Sequence, residues 1–121
     1  MDQLSSIVVG IDFTRCCVAA LREAMRISKW NQAKLRPIHV IDSVGAIELD
    51  EALAPSMGPV RDQLIGDAKA YWPKFAAQVD GAAGLDLEVR IDARVRGLLG
   101  FLQEVKTDLL VLGARSDDKP D

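Results

Sequence analysis

The sequence holds one histidine and two cysteines, and the cysteines are adjacent. One histidine cannot build a histidine-rich metal centre, and neighbouring cysteines cannot staple a disulfide scaffold. No apolar run approaches the roughly 20 residues needed to span a bilayer. The opening residues, MDQLSS, offer neither a positive start nor an apolar stretch, so a secretory leader is not expected. An excess of positive charge is also missing: the net charge is −3. Nucleic acid and anionic membrane surfaces are therefore not the expected partners. With 121 residues, 49% hydrophobic and 27% charged, the chain has the balance of one globular domain over 1–121. The polar end, 117–121, reads as a frayed tail, and the expected location is cytoplasmic.

The apolar runs come in two alternating kinds. Ile7-Val8-Val9-Gly10-Ile11 and Pro37-Ile38-His39-Val40-Ile41 are short, continuous and rich in β-branched residues, as strands buried on both faces are. Leu109 to Leu112 is a third such run. Leu85 to Asp92 alternates apolar with charged residues, which predicts an edge strand with one wet face. Helical stripes lie between them. Val18, Leu21, Ala24, Met25 and Ser28 mark a helix from about Cys16 to Lys29. Val60, Leu64, Ala68, Tyr71, Phe75 and Val79 mark a second, which Pro73 is expected to kink or split. Val95, Leu98, Leu99, Leu102 and Val105 mark a third.

Strand and helix in alternation predict an α/β fold: a doubly wound, open parallel sheet with helices on both faces. With the alternating strand at an edge, the order is 3-2-1-4. The order then reverses between strands 1 and 4, and ligands bind such sheets beyond the carboxyl ends of the strands at that reversal. The Asp12-Phe13-Thr14 loop therefore faces the loop Gly113-Ala114-Arg115-Ser116. The long connection from Asp42 to Gly58 leaves the same rim and reads as a flap.

Ile7 to Thr14, Ala19-Ala20-Leu21, His39-Val40-Ile41-Asp42 and Thr107 to Arg115 together resemble the universal stress protein family over nearly the whole chain. The resemblance implies a dimeric adenine-nucleotide-binding α/β domain that serves stress tolerance and is not a defined metabolic enzyme. It implies that Asp12 contacts the nucleotide and that the Val40 backbone holds the adenine. In the family the phosphates lie in a loop with two glycines three apart, then a third glycine and a hydroxyl residue. Here Gly113 matches the first glycine, and Ser116 stands where the second is expected. Against the family pattern, the third glycine, a fourth helix and a fifth strand are missing. Arg115 and Ser116 would offer one charge-assisted contact and one hydroxyl. The expected ligand is ATP or another adenine nucleotide, magnesium arriving with it, bound weakly with little gain from the γ-phosphate. The candidate site is thus Asp12, Thr14, Val40, Gly113, Arg115 and Ser116.

The plainer reading of each residue stands beside the functional one. Asp12 can serve by accepting N–H bonds from its own turn, and Thr14 by capping the first helix. Cys16 and Cys17 read as small packing residues, His39 as a hydrogen-bonded core histidine, and Trp30 as packing on a sheet edge or a partner. No second histidine exists to form a nucleophile triad. An uncharged outer edge on strand 4 invites a homodimer or another strand partner. An alternative function follows: an interaction module of the same fold without a ligand. A phosphotransfer receiver is disfavoured, because only Asp12 follows strand 1 and no fifth strand supplies a lysine.

Overall fold

The structure, a computed structural model, describes residues 4–42 and 57–113. The elements are β1 (Ser6–Gly10), α1 (Arg15–Asn31), β2 (Lys34–Asp42), α2 (Met57–Ala76), a 3₁₀ turn (Ala82–Gly84), β3 (Glu88–Asp92), α3 (Arg94–Glu104) and β4 (Leu109–Val111). All pairs are parallel, and the sheet order is β3-β2-β1-β4. The expected architecture is what the chain adopts. The flap at 43–56 and the tail at 117–121 lie outside the described residues.

The order dictates where the helices go. Two successive right-handed crossovers run the same way, from β1 to β2 to β3, and put α1 and α2 on one face. The return to β4 reverses direction and puts α3 on the other. The α1/α2 face carries the larger core, in which Ile7, Val9, Leu21, Leu35, Trp72 and Phe75 are buried together. The α3 face holds a smaller cluster of Val8, Ile38 and Phe101.

Three expectations about faces are corrected in part. On α2, Tyr71 is 49% exposed, while its neighbour Trp72 is buried and donates its indole N–H to the Leu85 carbonyl at 2.7 Å. Ala68, Phe75 and Val79 of the expected stripe are buried, while Trp72 and Ala76 take the inward place expected of Tyr71, and Val60 is exposed. On α3, Val95 and Leu99 are exposed, and Gly97 and Phe101 are buried. A methyl group on Gly97 would stand 2.9 Å from Val40 Cγ1, so the bare backbone lets this helix sit down on β2. Trp30 is 77% exposed, with the Arg26 guanidinium 5.7 Å from its ring centre, so of its two expected places the sheet edge falls and a partner surface stands.

Pro73 does not split α2, which runs on for three residues to Ala76. So close to the end, the missing N–H costs one bond, and the Pro73 carbonyl still accepts from Ala77 at 3.0 Å. β3 is shorter than the alternating run that announced it. Leu87 is buried ahead of the strand, and its pairing with β2 begins only at Ile38 and Glu88.

At the amino end of the sheet the backbone is tied off. The Asp108 carboxylate accepts the N–H groups of Ser5 and Ser6 at 2.8 and 2.9 Å. Ser6 donates its hydroxyl to the Val105 carbonyl and accepts from Arg36. At β3, Arg90 makes a two-pronged pair with Glu104 and a further bond to Glu88, locking the edge strand to α3.

Candidate functional site at the carboxyl end of β1 and β4

The strand order reverses between β1 and β4, and the loops that leave them meet. Gly113 lies directly on the first turn of α1: a Cβ there would stand 3.0 Å from the Cys16 carbonyl and 3.2 Å from the Cys17 nitrogen. No side chain larger than hydrogen keeps that approach without moving backbone. Beneath it, Leu112 lies across Gly10, whose Cβ would meet Leu112 Cδ2 at 2.6 Å. Gly113, set against backbone, therefore allows the two loops to close on one another, while the contact at Gly10 is with a side-chain end that can turn aside. Arg115 and Ser116 lie outside the described residues.

Asp12 and Thr14 form one turn. Asp12 Oδ1 accepts the Thr14 N–H at 3.0 Å and its hydroxyl at 2.6 Å. Thr14 is the N-cap of α1, its Oγ1 accepting from the Cys17 N–H at 3.4 Å. The plainer roles weighed for both residues are thus filled, yet Asp12 remains exposed and its second oxygen makes no bond among the described residues.

Between Asp12 and Thr14, Phe13 takes a left-handed conformation with φ 62°. Such a φ is uncommon for a bulky side chain, and ring contacts hold it there. The Phe13 ring lies 4.7 Å from His39, 5.0 Å from Tyr71 and 5.3 Å from Phe75, centre to centre. Tyr71, displaced from the core, thus finds its partner at the rim. A shallow cavity of about 260 Å³ opens here, lined by Phe13, Thr14, Arg15, Tyr71, Phe75 and Gln78. A larger one, about 380 Å³, lies at the opposite end of the sheet between β2 and residues 84–88, away from the loops that meet.

β2 contributes backbone. The Val40 side chain packs toward α3 against Gly97, which leaves its peptide group as the part able to face a ligand. The last bond of the β1/β2 ladder runs from the Ile11 N–H to the Ile38 carbonyl at 2.8 Å. Strand alternation points the Val40 N–H the same way, past the end of β1. No acceptor takes it among the described residues.

Cys17 is buried, donates its thiol to the Gly10 carbonyl at 3.4 Å, and has its pKa pushed up to about 11 by burial, with the nearby Asp12 charge adding to the rise. It stays a thiol at neutral pH and serves packing, as the sequence suggested. His39 bonds the Ile11 carbonyl through Nδ1 at 2.7 Å. No cluster of three metal-ligating side chains forms among the described residues. No helix among them is long and apolar enough to cross a membrane.

The universal stress protein family model matches residues 4–120. The chain belongs to that family. Among solved structures, the universal stress protein UspA from Lactobacillus plantarum is 23% identical with a TM-score of 0.66, covering 99% of this chain and 83% of its own. Protein Rv1636 from Mycobacterium tuberculosis H37Rv is 21% identical, with a TM-score of 0.56, and covers 98% and 78%. A universal stress protein in complex with cAMP is 22% identical, with a TM-score of 0.55, and covers 90% and 71%. No curated protein is a significant match in sequence. At these identities the solved structures establish the fold of this universal stress protein, and its chemistry rests on its own residues.

Proposed function

We propose that this universal stress protein binds an adenine nucleotide at the carboxyl end of β1 and β4, weakly, and mainly through its nucleoside. The open Val40 N–H carries the reading, because a strand edge offering a free donor next to a sheet reversal suits the edge of a purine. Asp12 contributes a free carboxylate oxygen for ribose hydroxyls, and Thr14 fixes the turn that presents it. Gly113 brings the β4 loop close enough for its backbone to reach the ligand. That a related fold is known in complex with cAMP supports an adenine ligand. Phosphate finds less: Thr14 already caps the α1 start, and Ser116 stands where the family pattern has its second glycine. Magnesium would come with the phosphates and meet Asp12.

Calorimetric titration with adenosine and with magnesium-ATP tests this. The expected result is binding of both within about tenfold of each other, a difference near 1.4 kcal/mol, abolished by Asp12→Ala. A hundredfold preference for ATP overturns the nucleoside reading, and no heat at millimolar ligand overturns binding altogether.

A second reading has its own observation. β4 is three half-buried residues, paired with β1 alone among the described strands, with Leu112 56% exposed beside it. Such an edge accepts a strand from another chain, so we propose a homodimer or strand partner there. A single monomeric species at micromolar concentration in sedimentation velocity contradicts it.

A further inference from the structure

The β1/β2 ladder stops one bond early. By the register, Ile38 donates to Val9 and accepts from Ile11, and the next bond in the series is the Val40 N–H to the Ile11 carbonyl. It is not made. The Ile11 oxygen is engaged instead by His39 Nδ1 at 2.7 Å. A carbonyl can only accept, so Nδ1 carries the proton and a neutral imidazole leaves Nε2 bare.

The histidine is held to this task. His39 follows Leu35 by the two-residue period of the strand, so it stands on the α1/α2 face while Val40 faces α3. On that face its ring meets Phe13, and Phe13 is backed by Tyr71 and Phe75 from α2. The left-handed φ of Phe13 is what brings its ring there. The chain of contact therefore runs from α2 through Phe13 to His39 and the Ile11 carbonyl.

We propose that His39 is a positioning residue for the nucleobase: by drawing the Ile11 carbonyl out of the sheet, it keeps the Val40 N–H unpaired and available to the ligand. This rests on the nucleotide reading above, but two of its consequences appear with no ligand present. The imidazole is locked in the Nδ1–H tautomer, the minor form in water. The Val40 amide exchanges with solvent although Ile38, two residues earlier on the same strand, is protected. Removing the imidazole lets the ladder close, which hides the donor.

Since the chain has one histidine, a ¹⁵N imidazole spectrum reports His39 without ambiguity. For the neutral ring the expected spectrum is the Nδ1-protonated form, and an Nε2-protonated ring overturns the proposal. Amide exchange is expected to be at least tenfold faster at Val40 than at Ile38, and equal protection of the two overturns it. In His39→Leu, Val40 gains protection and adenosine binding weakens roughly tenfold, the loss of about one hydrogen bond. His39→Asn places an amide donor where Nδ1 stood and keeps affinity within about threefold, while His39→Gln, which mimics Nε2, does not. Equal affinity in the Asn and Gln variants overturns the role even if the Leu variant fails to fold. If the wild type binds no adenosine, the nucleotide reading falls, and the tautomer and exchange results still decide what His39 does.

Discussion

The two ends of the sheet are built from the same residue types and put to opposite use. At the amino end, Asp108 spends its carboxylate on two strand N–H groups, Ser6 bridges to Val105 and Arg36, and the backbone is closed. At the carboxyl end, among the described residues, Asp12 Oδ1 is taken by Thr14 of its own turn and the Val40 N–H finds no backbone acceptor. A buried polar group is costly when unmatched, and at the amino end only the Thr107 hydroxyl is buried without a partner among the described residues, so the open backbone groups gather at the rim that water or a ligand reaches. One end holds the molecule together. The other is kept unsatisfied.

Substitutions at each end should separate stability from binding. Trp72→Ala empties a buried site and orphans the Leu85 carbonyl beside the amino end. It is expected to cost about 3–5 kcal/mol in urea unfolding, with the adenosine affinity of the folded protein unchanged. Asp108→Ala leaves the Ser5 and Ser6 N–H groups without their charged acceptor and is expected to cost about 2 kcal/mol, again without loss of binding. Asp12→Ala reverses that pattern. Thr14 still caps α1, so the same unfolding measurement should show less than about 1 kcal/mol, while binding disappears.

Gly113→Ala tests the meeting of the loops. A methyl group 3.0 Å from the Cys16 backbone must push one loop away, so about 1 kcal/mol of stability and most of the adenosine affinity are expected to go together. The smallest effect concerns pH. Arg90 holds the Glu104 carboxyl below its ordinary value through a direct hydrogen bond. A depressed folded pKa means the contribution is present at neutral pH and lost as pH falls through the carboxylate range. Glu104→Gln should flatten the stability profile between about pH 5 and 3. The carboxyl-end amide shifts should not respond.

The layout of the sheet was legible because it depends on runs of residue type. Continuous β-branched stretches against one alternating stretch settled both the strand order and the reversal point. Helix faces were less legible, because Tyr71 and Trp72 are adjacent, and an apolar stripe drawn through either one is nearly as good. Gly97 carried a signal only in hindsight, since its value lies in the closeness of Val40. At the site, the Asp12-Thr14 turn and the meeting of the β1 and β4 loops followed from position in the motif, while the packing of Gly113 on the first turn of α1 did not. The role of His39 did not, because its partner is a backbone oxygen and its effect falls on a backbone N–H. No side-chain pattern encodes either.

The most direct test follows backbone amides by ¹H–¹⁵N correlation while adenosine is added. The account predicts shifts concentrated at Val40, Asp12 to Thr14 and Gly113, with Ser5, Ser6 and Asp108 unmoved. Shifts centred on the amino end, or none at millimolar adenosine, would contradict it.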